Sequence, residues 1–148
     1  MGLVALAGRA LFVLVFLISV PHHFNSGVIG YAASHGLPFA GFFVPASGVI
    51  ALVGALSVLV GWRARIGASL LVLFLVPVTI VMHNFWAVAD PAARQMQEAM
   101  FWKNLSILGG ALLVAYFGAG PWSLDDRRRW RRFRESSVID QLTSTHGS

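Results

Sequence analysis

Four runs of apolar residues, at about residues 3–20, 39–60, 66–82 and 101–117, alternate with short stretches that hold most of the polar chemistry. At a rise of about 1.5 Å per residue, each run approaches or exceeds the length a helix needs to cross a hydrocarbon core of about 30 Å. The fourth is the most informative, since Leu105 to Phe117 contains no charge while Lys103 and Asn104 stand at its start. On a helical projection Lys103, Ser106, Ile107, Gly110, Ala111 and Val114 share one arc with Asn104 at its edge, and Leu105, Leu108, Leu112 and Tyr116 lie opposite. Small residues mark where helices approach closely in lipid, so Lys103 and Asn104 are expected to face protein. The same reasoning gives the second run a packing face at Ser47, Ala51 and Ala55. In the first run Arg9, Phe12, Val13, Phe16, Val20 and His23 fall on one side, and in the third Ser69, Val72, Val76, Thr79 and His83 do so. Pro77 frees the carbonyl of Leu73 and is expected to bend the third helix.

The connectors fix ends and orientation. His22 to Pro38 carries His22, His23 and His35 but no lysine or arginine, and Ser26 to Ser34 reads as a short interfacial helix stopped by Gly36. Gly61-Trp62-Arg63-Ala64-Arg65 reads as a tight turn on the cytoplasmic side. Asp90-Pro91 supplies an N-cap and a first helical residue, with Ala92 to Met100 leading into the fourth span. Gly118, Gly120 and Pro121 end that span and Trp122 anchors it at the interface. The result is an all-α, integral membrane four-helix bundle, N-in and C-in, with short interfacial helices in the outer loops. Arg9 lies on its inner side, as an intramembrane charge that snorkels or pairs within the bundle. The first run resembles a secretory signal, but no small-x-small cleavage site follows it closely, so a retained helix is expected.

Composition agrees: 57% of the residues are hydrophobic, 11% are charged and the mean hydropathy is +0.72. With 148 residues the chain suffices for one bundle, residues 1–126, and a basic cytoplasmic tail, residues 127–148, whose part from Val138 to Ser148 is expected to be disordered. The absence of cysteine excludes disulfides, thiol redox chemistry, cysteine-ligated iron–sulfur clusters and thioether-linked haem. The net charge of +5 comes from the tail, where Arg127, Arg128, Arg129, Arg131, Arg132 and Arg134 follow the last span directly. That position argues against nucleic acid as the partner and for anionic lipid head groups, or for docking of a cytoplasmic protein.

The segments GRALFVLVFLISVPHHF, ALVGALSVLVGWRARIGASLL, HNFW and FWKNLSILGGALLVAYFGAGPWSLD resemble the DoxX family of small four-helix membrane proteins over about Gly8 to Asp126. The resemblance rests most on the lysine-asparagine pair, on Gly109-Gly110 and on the close from Gly120 to Asp125. It implies the bacterial plasma (inner) membrane and a subunit of a quinone-linked oxidoreductase, and it singles out Arg9, His83, Lys103 and Asn104. Many members carry a glutamate in the second helix before paired glycines, where this chain has Ala51 and a single Gly54.

The expected site is an outer-leaflet pocket between the first, third and fourth spans, lined by His23, His83, Lys103 and Asn104, with Trp86 and Trp102 near its mouth. Imidazole, ammonium and carboxamide groups suit the carbonyl oxygens of a quinone or another small lipophilic ligand. The alternative is a membrane anchor or assembly subunit in which Lys103 snorkels, the histidines lie in headgroup water and Asn104 ties helices together. A metal or haem on His22, His23, His35 or His83 is the weaker expectation, because adjacent histidines diverge on a helix and no HxxxH spacing occurs. Nucleophilic catalysis has no supporting residue set. Association with other subunits or with itself is allowed by the small-residue faces.

Overall fold

The structure, a computed structural model, describes residues 2–145. Its elements are α1 (Gly2–Ser19), continued by a 3-10 turn at Val20–Phe24, α2 (Ser26–Ser34), α3 (Ala40–Val60), α4 (Ala64–Met82), a 3-10 turn at Phe85–Ala87, α5 (Pro91–Phe117) and α6 (Leu124–Thr145). Four segments are long and apolar enough to cross a membrane, Gly2–Phe24, Ala40–Val60, Ala64–Ala87 and Pro91–Phe117. The chain is thus an all-α, multi-pass membrane protein built on a four-helix bundle, with α2 as a short helix between the first two spans. Gly2 lies against Trp122, so α1 begins at the end of the bundle where α5 stops.

Local chemistry explains the boundaries. The Asn25 side chain accepts from Gly27 N–H at 2.8 Å and opens α2, which stops at Gly36 with φ +83°. Asp90 Oδ2 accepts from Ala93 N–H at 2.7 Å and Pro91 takes the first helical position, which together start α5. Between α3 and α4 the chain reverses through Gly61 at φ +70° and Arg63 at φ +48°, a conformation unfavourable for an arginine. Asp125 offsets that cost from 61 and 62 positions away. Its two carboxylate oxygens accept from Arg63 N–H and Ala64 N–H, each at 2.9 Å, and its own N–H donates to Gly61 O at 2.8 Å.

The core joins α1, α3, α4 and α5 through Val13, Phe16, Ala51, Ala55, Val58, Leu71, Phe74, Leu75 and Ala111, among others. In lipid, close packing replaces the hydrophobic drive as the main attraction between helices. Here α3 and α4 touch backbone to backbone. A methyl group on Gly54 would stand 2.8 Å from Gly67 O, and one on Gly67 would stand 2.9 Å from Gly54 O. Gly110 likewise admits the ring of Phe12 from α1.

Two details of the helix faces differ from the sequence pattern. The buried seam of α5 runs through Asn104, Leu108, Ala111 and Ala115, whereas Lys103 and Ser106 are exposed. The seam is turned by one position from the expected arc, which keeps the ammonium out of the bundle. Arg9 does not snorkel outward: it is 5% exposed, and its Nη2 donates to Trp122 O at 2.8 Å. Helix α6 takes in the arginine run. Residues 146–148 of the stretch expected to be disordered lie outside the described residues.

Candidate functional site

The α3–α4 seam is closed at Gly54 and Gly67 and opens toward the end of the bundle that carries the histidines. Pro45 in α3 and Pro77 in α4 lie in the opened part, where each ring removes a backbone hydrogen bond and loosens its helix. Between the two helices lies a cavity of about 510 Å³. Its walls are Phe43, Val44, Ala46, Ser47 and Ile50 from α3 and Leu73, Phe74, Pro77, Val78, Val81 and Met82 from α4. Val28, Tyr31 and Leu37 close it beneath α2, and His23, His83 and Gln97 complete the lining. Phe43 is 48% exposed and Leu73 60%, so the mouth opens sideways on the apolar surface. No lining residue carries a fixed charge.

The polar groups of the cavity are ordered by their own bonds. His83 Nδ1 stands 2.7 Å from Gln97 Oε1, and Gln97 Nε2 donates to the Tyr31 hydroxyl at 2.9 Å. Because the amide oxygen accepts, Nδ1 of His83 carries a hydrogen, which leaves Nε2 as the acceptor of the neutral ring. Tyr31, having accepted, keeps its own hydrogen to donate. This chain links α2, the C-cap of α4 and the first turns of α5. Tyr31 is fixed further by a tilted ring contact with His35, centroids 4.1 Å apart. On the other wall His23 Nδ1 donates to Ser19 O at 3.0 Å and the ring packs on Phe74, 5.5 Å between centroids. Gly48 makes this fit, since a Cβ there would meet the Cβ of His23 at 2.6 Å. Ser47 spends its hydroxyl on Val44 O at 2.7 Å and offers the cavity no donor.

The structure brings together part of the expected set. His23 and His83 line the cavity; Lys103, Asn104, Trp86 and Trp102 do not. Lys103 is exposed and its Nζ donates to Met100 Sδ at 3.1 Å, while Trp102 donates to Glu98 Oε1 at 3.5 Å. Trp86 joins an edge-to-face aromatic cluster with Phe85 and Phe101. Asn104 is 7% exposed in the α5 seam. Of the four histidines named for a metal, His22 is exposed and His35 is held by Tyr31 O at 2.9 Å. No group of three potential metal ligands occurs among the described residues. The residues that sequence reasoning missed are Tyr31 and Gln97. One signal for Gln97 was present, since it precedes Asn104 by seven residues and so shares its face of the helix.

These features define a class: a four-span membrane bundle with a laterally open apolar cleft and a neutral, hydrogen-bonded polar rim. Residues 2–130 match the SURF4 family, and the chain belongs to that family. It is 31% identical over 124 residues to the inner membrane protein YphA of Escherichia coli, covering 82% of this chain and 88% of that one. It is 31% identical over 81 residues to the ER-derived vesicles protein ERV29 of Saccharomyces cerevisiae, covering 55% of this chain and 26% of that one. The Surfeit locus protein 4 homolog of Schizosaccharomyces pombe is 27% identical over 125 residues, 84% of this chain and 37% of the relative. The chain therefore spans only about a quarter of one yeast relative, somewhat more than a third of the other, and most of the bacterial one. No solved structure is a significant match.

The family assignment overturns the DoxX resemblance, and with it the reading as a subunit of a quinone-linked oxidoreductase. The residues that carried the resemblance serve the architecture of a four-span bundle. Asn104 fills the α5 seam, Gly110 admits Phe12, and the Gly120 to Asp125 segment ends in the cap on α4. The lysine-asparagine pair is divided between the exposed and the buried face and does not form one ligand set.

Proposed function

We propose that this chain is a binding module that takes an amphipathic client from the bilayer into the α3–α4 cleft and carries or presents it. The observation that carries this reading is the cleft itself: about 510 Å³, apolar along its walls and open to lipid, with the Tyr31–Gln97–His83 chain at its rim. That volume suits a drug-sized or single acyl-chain ligand. The client's polar head would accept from the Tyr31 hydroxyl and donate to Nε2 of His83. One relative is named for ER-derived vesicles, which favours a role in membrane traffic over electron transfer.

The bacterial relative, covered over most of its length, is an inner membrane protein, and we place this chain in the same membrane with both termini cytoplasmic. All lysines and arginines except Arg94 and Lys103 stand at the end where α1 starts and α5 stops, as the positive-inside rule requires of the cytoplasmic face. There the arginines of α6 meet anionic head groups. The exposed small and apolar face of α5, with Gly109 open, is where a second copy or another subunit packs.

The test is photolabelling of the full chain in membranes with a diazirine-bearing fatty acid, mapped by peptide mass spectrometry. Labels are expected on the Ser47 and Val78 peptides, and Ala46→Trp, which fills the cleft, lowers them about tenfold while leaving lipid-facing Leu11 unchanged. Equal labelling at Leu11 and at the cleft, indifferent to Ala46→Trp, overturns the proposal.

A further inference from the structure

A second concave site lies at the opposite end of the bundle. The α3–α4 turn, the end of α5 and the first turns of α6 enclose a groove of about 420 Å³. Three arginines line it from two directions, Arg63 and Arg65 from the turn and start of α4 and Arg129 from α6. Another wall is the segment from Gly118 to Gly120, where Gly118 at φ +86° and Gly120 at φ +69° present no side chain.

The charge in this groove is only partly neutralised from within, with three arginines against one carboxylate. The only carboxylate in the lining is Asp125, and both of its oxygens already accept backbone N–H groups at 2.9 Å. Among the described residues no carboxylate pairs with Arg63, Arg65 or Arg129. Arg63 is held over the Trp62 ring at 5.4 Å, which orients its guanidinium without cancelling its charge. Like charges gathered from separate elements repel, and an anion between them removes the repulsion. Guanidinium groups prefer oxyanions that accept two parallel N–H bonds, of which phosphate is the commonest at a membrane surface.

The groove also has an apolar exit. Ile66 and Phe117 belong to its lining, and both are largely exposed, 57% and 67%, on the side that faces lipid. A free phosphate has no use for that exit, whereas a phospholipid does. We propose that this groove is a specific site for one anionic phospholipid, its phosphate between Arg63, Arg65 and Arg129 and an acyl chain along Ile66 and Phe117. The proposal rests on the placement of this end at an anionic leaflet, and it adds to the diffuse attraction of the α6 arginines a defined seat.

The experiment uses the full chain in detergent and native mass spectrometry, titrating phosphatidylglycerol, phosphatidylcholine and inorganic phosphate separately. One phosphatidylglycerol is expected to be retained at lower concentration than phosphatidylcholine. The double variant Arg65→Gln, Arg129→Gln weakens that retention about tenfold or more, while the charge-matched pair Arg128→Gln, Arg132→Gln, outside the groove, changes it less than about twofold. Arg63 is left in place because its backbone starts α4, and an unchanged thermal melt of each lipid-free variant shows that the fold is intact. Equal weakening by both pairs overturns the groove and leaves the diffuse attraction standing. Loss in neither pair overturns both. Inorganic phosphate that binds alone and displaces the lipid overturns the assignment to a phospholipid in favour of a soluble anion.

Discussion

The two ends of this bundle are built on opposite plans. At the arginine end, two charged side chains are spent on backbone: Arg9 on Trp122 O, and both oxygens of Asp125 on the N–H groups that start α4. Side chains and main chain from α1, α4, the α5–α6 connector and the first turn of α6 are tied there, which opposes separation of the helices. At the histidine end three polar side chains from separate helices, His83, Gln97 and Tyr31, bond to one another around a space that the apolar walls leave empty. A lock at one end lets the other remain open without loss of the bundle. The difference teaches that in lipid, where apolar burial does not drive helices together, holding and opening must be assigned to separate places.

That contrast can be broken or sharpened by substitution, and the hinge between the two plans should be the most sensitive point. Gly67→Val puts atoms where Ser57 and the carbonyl of Gly54 already stand, and is expected to destabilise by about 2–3 kcal/mol in detergent unfolding. Asp125→Ala leaves Arg63 and Ala64 N–H without their acceptors at a strained turn and should cost about 2 kcal/mol, with Asp125→Asn recovering part of it. Gln97→Leu removes the middle of the rim chain. It is expected to cost about 1 kcal/mol of stability while reducing cleft photolabelling more than it reduces the melting temperature. Should Gln97→Leu cost more than Asp125→Ala in the same unfolding assay, the division into a locked and an open end is wrong. Thr79→Val is the mildest test. Thr79 is 5% exposed and its hydroxyl is buried without a partner, so removing it should stabilise by up to about 1 kcal/mol.

The spans were legible because hydrophobic length and end signals are local properties. Asp90-Pro91, Gly61 and the Ser26–Ser34 helix needed no knowledge of the rest of the chain. The α1 face was legible too, since Arg9, Val13 and Phe16 are its buried residues. His23 and His83 were legible as part of the site, but the place of the cleft and the rest of its rim escaped, for two reasons. The opening between α3 and α4 depends on how two prolines and two glycines act on facing helices, which no single helix displays. The polar rim joins His83 to Gln97 and Tyr31, and these last two are neutral side chains that draw less notice than Lys103, although the lysine proved to be on the outside. Charge was thus a sound guide to the ends of the bundle and a poor one to its cavity.

The Asp125 cap has a consequence for how the protein is made. Arg63 and Ala64 leave the ribosome long before Asp125, so α4 enters the membrane with its first N–H groups uncapped by their final acceptor. Only when the last span has been threaded does the acceptor arrive, and the first half of the chain is then fastened by its last part. A nascent chain stopped just short of Asp125 would own every span and lack the clasp. Quality-control proteases would meet it as an intact length of membrane protein with a loose turn at its surface.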